Sequence, residues 1–149
     1  MIGDVKQNLK GVFCSLLYEK QFVKIEKWAH KVGYTIRFGR TDECDYDKKE
    51  LVVQRNQKDI NIIYSTLHEC GHSIIGGKRS YHKKYKSIIK ADVDGRHAKS
   101  NLYRFKKLKE EIDAWEEGYK LSKKLRIDID KDHYDIYAAK CVNTYIKYL

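Results

Sequence analysis

The chain has 149 residues and a formal net charge of +10, with 42% hydrophobic and 35% charged residues, which suits one domain, residues 1–149, with a modest core and a heavily solvated surface. No apolar run approaches the roughly 18 residues of a membrane span, and residues 1–7 lack the apolar core and cleavage site of a secretory signal. Cys14, Cys44, Cys70 and Cys141 form no C-x-x-C pair, so a zinc ribbon and a disulfide scaffold are both disfavoured and an intracellular, cytoplasmic protein without a membrane partner is expected.

Residues 5–32 carry Val12, Phe13, Leu16, Leu17, Phe22, Val23, Ile25, Trp28 and Ala29, mostly at three- and four-residue spacing. That pattern predicts an amphipathic scaffold helix ended by Gly33. Residues 34–38 alternate and end at Gly39, which reads as a strand. A polar, acidic turn over 39–48 follows, then a second strand over 50–55. The two strands read as a hairpin; beside a metal-binding helix, an edge strand would hold an extended peptide by main-chain pairing.

The next helix, 57–75, has Ile60, Ile63, Tyr64, Leu67, Gly71, Ile74 and Ile75 in one apolar stripe and stops at Gly76-Gly77. Inside it stands His68-Glu69-Cys70-Gly71-His72. Histidines four residues apart lie one above the other on a helix, so both imidazoles reach a single Zn²⁺. The glutamate between them is about 100° round from its neighbour, placed to act on a metal-activated water without being a ligand. On the helical wheel His68 and His72 flank the apolar stripe, Glu69 lies further round toward water, and Cys70 is a packing residue. Gly71 removes a side chain from the buried face and admits a close neighbour.

Residues 78–109 hold twelve Lys/Arg and two Asp/Glu, so the whole positive excess lies there. Such a stripe is either an electrostatic footprint for nucleic acid or a lysine-rich solvated connection. No aromatic-rich binding module accompanies it, which favours the connection, with a short helix over 81–89 and a turn at Asp94-Gly95-Arg96. A long helix over 101–125 follows, read with Phe105, Leu108, Ile112, Trp115 and Tyr119 inward. Residues 131–149 read as a closing helix through Tyr134, Ile136, Tyr137, Ala138, Cys141, Val142, Tyr145 and Ile146.

A catalytic zinc needs a third protein ligand. Ile75 and Lys78 occupy the positions that a histidine-rich H-E-x-x-H-x-x-G-x-x-H motif requires as glycine and histidine, so that variant is excluded. A carboxylate from the following long helix is the alternative. On that helix Glu110 points opposite the inward stripe, to solvent. Glu111 lies beside the stripe, with the small Ala114 and Gly118 on its own flank, and is the first choice. Glu116, on the other flank, is the second.

HECGH, a basic spacer, EEIDAWEEG at residues 110–118 and a terminal tyrosine-rich helix together resemble the small zincin-type metallopeptidases of phages and large viruses. More distantly, the chain is similar to ImmA/IrrE-type peptidases with their H-E-x-x-H and later E-x-x-A helix. The resemblance covers roughly residues 50–149. It implies an α+β, minimal zincin-like domain, mostly helical, with a short two- to three-stranded sheet before the HExxH helix. It implies Zn²⁺ on His68, His72 and Glu111, Glu69 as catalytic base, and a peptide or protein substrate. An oxyanion donor would come from His82, His97, Arg96 or Tyr81. A SprT-like protease, with His82 as third ligand and residues 78–109 on DNA, is the competing enzyme. A non-catalytic nucleic-acid or partner-binding module with a retained metal site is the competing non-enzyme.

Overall fold

A computed structural model describes residues 9, 11–85 and 100–148. Among them the elements run α1 (Leu16–Lys31), β1 (Thr35–Gly39), β2 (Glu43–Asp45), β3 (Glu50–Gln54), α2 (Asp59–Gly76), α3 (Tyr81–Lys84), α4 (Asn101–Lys124) and α5 (Lys131–Tyr148). The fold is α+β and mostly helical, as expected. Among the described residues no helix is long and apolar enough to cross a membrane. The chain divides into two compact units, residues 1–66 and 67–149.

In the first unit α1 begins later than its apolar pattern suggests. The Asp59 carboxylate accepts hydrogen bonds from the backbone N–H groups of Cys14 and Ser15 at 3.1 and 2.8 Å, which holds the chain extended up to the helix start. Phe22, Ile25 and Ala29 form the buried stripe, whereas Leu16 and Leu17, read as core, are more than half exposed. The rings of Phe13, Phe22 and Phe38 cluster with centroids 5.2–6.4 Å apart.

The sheet has order β1-β3-β2, with β1 parallel and β2 antiparallel to β3. This corrects the hairpin: the two strands read from sequence pair in parallel, and the segment read as a turn contains a third strand, Glu43–Asp45. Three residues are too few to show alternation. Leu51, Val52 and Val53 are buried in succession, the mark of a central strand covered on both faces. The sheet edges are therefore β1 and β2, and the strand that precedes α2 is not one of them.

The second unit is built on a close crossing of α2 and α4. A Cβ placed on Gly71 would lie 1.9 Å from the carbonyl oxygen of Ala114, and one on Gly118 would lie 2.5 Å from that of Leu67. Only residues without side chains fit at both points, so small residues set the inward face of α4. That face is Glu110, Glu111, Ala114, Trp115, Gly118, Leu121 and Ser122. The aromatic stripe read from sequence is thereby corrected, since Phe105 is 61% exposed and Ile112 is also exposed. Ile112 instead faces an apolar groove of about 670 Å³ between α4 and α5, with Trp115, Tyr119, Ala138, Val142 and Ile146. Tyr134 of α5, fully buried, donates its hydroxyl proton to the Trp115 carbonyl at 2.8 Å and ties the two helices together.

Gly71→Ala should destabilise the protein by about 1–3 kcal/mol or more, because backbone rather than a flexible side chain must move. Gly77→Ala, whose added carbon meets nothing nearer than 3.5 Å, should stay within about 0.5 kcal/mol of the parent. Denaturant unfolding of the two variants checks the contrast.

Candidate metal centre

α2 presents His68 and His72 from successive turns, with ring centroids 4.6 Å apart. The α2–α4 crossing brings the Glu111 carboxylate between them. Its Oε2 lies 3.0 Å from His68 Nε2 and its Oε1 lies 3.4 Å from His72 Nε2. Two donors on one four-coordinate zinc are ~3.3 Å apart at normal bond lengths. One ligand atom from each of these three residues falls within 4.8 Å of the others. Two imidazole nitrogens and one carboxylate oxygen are also a catalytic zinc donor set, so the residues fit the ion.

The opposite edges of the two rings meet carboxylates as well. His68 Nδ1 is 3.2 Å from Glu69 Oε1, and His72 Nδ1 is 3.5 Å from Glu110 Oε1. The imidazole of His68 also stacks on the Trp115 indole, 4.2 Å between centroids and 10° from parallel. Trp115 is itself held by Tyr134, through its backbone carbonyl and edge to face, and by Tyr137 edge to face. Ring plane and ring edge of His68 are thus both constrained.

Burial works against a charged imidazole, but the surrounding carboxylates outweigh it. For His68 the opposing partners are Glu111 and Glu69, and its pKa is raised. For His72 they are Glu110, Glu111 and Glu69, and its pKa is pushed up to about 10. Burial raises the Glu111 pKa less than the two histidines lower it, so it stays ionised well below the usual carboxylate range. Lys107, half-buried one turn earlier on α4, keeps its proton despite burial because Glu110, Tyr145 and Glu111 favour the ammonium.

His68, His72 and Glu111, the three ligands expected from sequence, are together. Glu116 is exposed and outside the cluster. Two readings are corrected. Glu69 does not face water but is 3% exposed, and Glu110 does not face solvent but is 4% exposed. Both errors have one cause: the wheel assumed that apolar residues mark the inward face, and here the inward face carries carboxylates. Adjacent glutamates at 110 and 111, a turn before Ala114, were the available signal. Cys70 is fully buried, as a packing residue would be.

The Tyr81 ring sits 5.1 Å from that of Tyr85, packed on a small core of Ile75, Tyr85 and Ala114. The side chain of His82, and the whole of Arg96 and His97, lie outside the described residues. So does much of the basic segment, including the turn at 94–96. Of its described lysines, Lys78 pairs with Glu117 at 3.1 Å, and Lys84 and Lys109 pair with Asp113 at 2.5 and 3.9 Å. These acidic partners on α4 offset part of the positive stripe locally. Comparison with protein-family models, curated proteins and solved structures finds no match.

The pKa directions set opposite pH responses for protein stripped of metal and protein loaded with it. The raised His72 pKa contributes stability fully below its ordinary value of 6.5, and this is lost as pH rises through about 10. The lowered Glu111 pKa contributes stability above its ordinary 4.5, lost as pH falls below that value. Chelator-treated protein should therefore be most stable between about pH 4.5 and 6.5. Zinc bound at these residues would have to displace the imidazole protons, so its apparent affinity should rise with pH above 6.5 and its binding should release protons. Denaturant titrations with and without zinc, and calorimetry in buffers of different ionisation enthalpy, read both limbs.

Proposed function

We propose that this chain is a zinc-dependent metallopeptidase, related in design to the small zincin-type enzymes that its HECGH and EEIDAW segments resemble, and working inside the cell. The observation that carries the reading is the convergence of His68, His72 and Glu111 within 4.8 Å, with the buried Glu69 carboxylate beside them. A structural site has no need of an acid between its histidines, and a hydrolase does.

His68, His72 and Glu111 would hold Zn²⁺, which when bound acts as a Lewis acid on the scissile carbonyl and draws the pKa of a coordinated water toward ~7. The chain's own part is orientation and proton transfer. Glu111, ionised through its contacts with both histidines, supplies the anionic donor. Glu69 accepts the proton of the attacking water on its carboxylate and passes it to the departing amine nitrogen. Trp115 fixes the plane of His68, so the ligand does not rotate as substrate enters. The apolar groove along α4 and α5 has Trp115 in its wall and offers an apolar surface close to the ligands for a substrate side chain.

A second reading follows from one contact. Glu69 Oε1 lies 3.2 Å from His68 Nδ1, the position of a carboxylate that orients a ligand rather than one that works on water. On that reading the centre is structural and the chain a binding module with a metal core.

Glu69→Gln separates the two. For a peptidase, the variant should keep its zinc and lose about 10²–10⁴-fold of its cleavage rate against a peptide library. For a structural centre, the wild-type protein cleaves nothing and the variant loses zinc affinity instead. Glu111→Ala and His72→Ala should each lose zinc, measured by metal analysis after dialysis; retention by Glu111→Ala would transfer the third-ligand role elsewhere, His82 first.

A further inference from the structure

Among the described residues, Glu110 Oε2 is the buried side-chain oxygen with no hydrogen-bond partner. A carboxylate 4% exposed with one oxygen unpartnered is costly in a fold this small. Its other oxygen faces one group of particular kind, Nδ1 of His72, at 3.5 Å. The far nitrogen of that same ring, Nε2, faces Glu111. A neutral imidazole carries its proton on one nitrogen only, and a carboxylate against Nδ1 keeps it there. Nε2 is then left with its lone pair directed at the proposed ion.

The geometry points to Glu110 as a positioning residue: it holds His72 in the Nδ1-protonated tautomer and fixes the ring so that Nε2 ligates the metal. This rests on the metal centre proposed above and adds a residue to it. The adjacent pair Glu110-Glu111 thereby divides one task. Successive residues on α4 reach opposite edges of the same imidazole, Glu111 as ligand and Glu110 as the acceptor behind it. His68 Nδ1 likewise meets a carboxylate, that of Glu69 on its own helix, whereas His72 meets Glu110 from α4. Outer carboxylates of this kind raise the basicity of the ligand and lock its orientation.

The test uses the full-length protein with zinc alone, titrated against a chromogenic chelator. Glu110→Leu should weaken zinc binding by about 10–100-fold, with Glu110→Gln between it and the wild type, since an amide oxygen still accepts from Nδ1 but carries no charge. Stripped of metal, Glu110→Leu should melt lower than the wild type, because buried His72 loses a carboxylate partner, so the melting point alone does not decide; a lower melting point with unchanged zinc affinity would make the residue merely structural. Nitrogen-15 spectra of the zinc-loaded wild type supply a second readout that needs no variant. They should show His72 metallated at Nε2 and protonated at Nδ1, and ligation through Nδ1 overturns the assignment. Zinc affinities of both variants within about twofold of the wild type would also overturn it while leaving the centre intact. A wild-type protein that binds no zinc removes the centre and this role together.

Discussion

The second unit depends on the contact between α2 and α4 at Gly71 and Ala114. Where a Cβ would fall 1.9 Å from a backbone carbonyl, two helices are as near as helices come. Side chains one turn away on either helix are then forced into each other's space, and those side chains are His68, His72, Glu110 and Glu111. Widening the crossing by the thickness of a methyl group would separate Glu111 from both imidazoles by more than a metal bond tolerates. Gly118 against Leu67 repeats the device one turn further along and prevents the helices from pivoting about a single point.

Around this crossing the support is aromatic on one side and acidic on the other. Tyr134 reaches across from α5 to the Trp115 carbonyl, and Trp115 stacks on His68. A helix outside the His68, His72 and Glu111 cluster thus bears on the orientation of one of its rings. On the other side, three carboxylates surround two imidazoles, and both nitrogens of each ring lie against a glutamate. Cores of small domains are ordinarily apolar because charged groups lose too much hydration on burial. Here the charges compensate one another, apart from a single oxygen of Glu110.

Much of this was legible in the sequence, and what was not has a common physical origin. HECGH on a helix, the close approach allowed by Gly71, and Glu111 marked out by Ala114 and Gly118 all follow from helical spacing and side-chain size. The inward face of α4 does not follow from hydrophobicity, because Phe105 and Ile112 are outside and Glu110 and Glu111 are inside. A buried polar cluster inverts the usual sign of the pattern, and only the small residues reveal it. The third strand was missed for a different reason: Glu43–Asp45 is too short for any period, and it joins the sheet through pairing to β3 rather than through side chains of its own. The parallel pairing of β1 with β3 was equally invisible, although Leu51, Val52 and Val53 in succession suit a central strand better than an edge.

The charges around His68 and His72 have one consequence for how such a centre fills. Two imidazolium protons and one divalent cation carry the same charge. Were an ion to replace a proton on each ring, the surrounding carboxylates would face the same total charge. On the proposed function, loading would then be an exchange of cations rather than the addition of one.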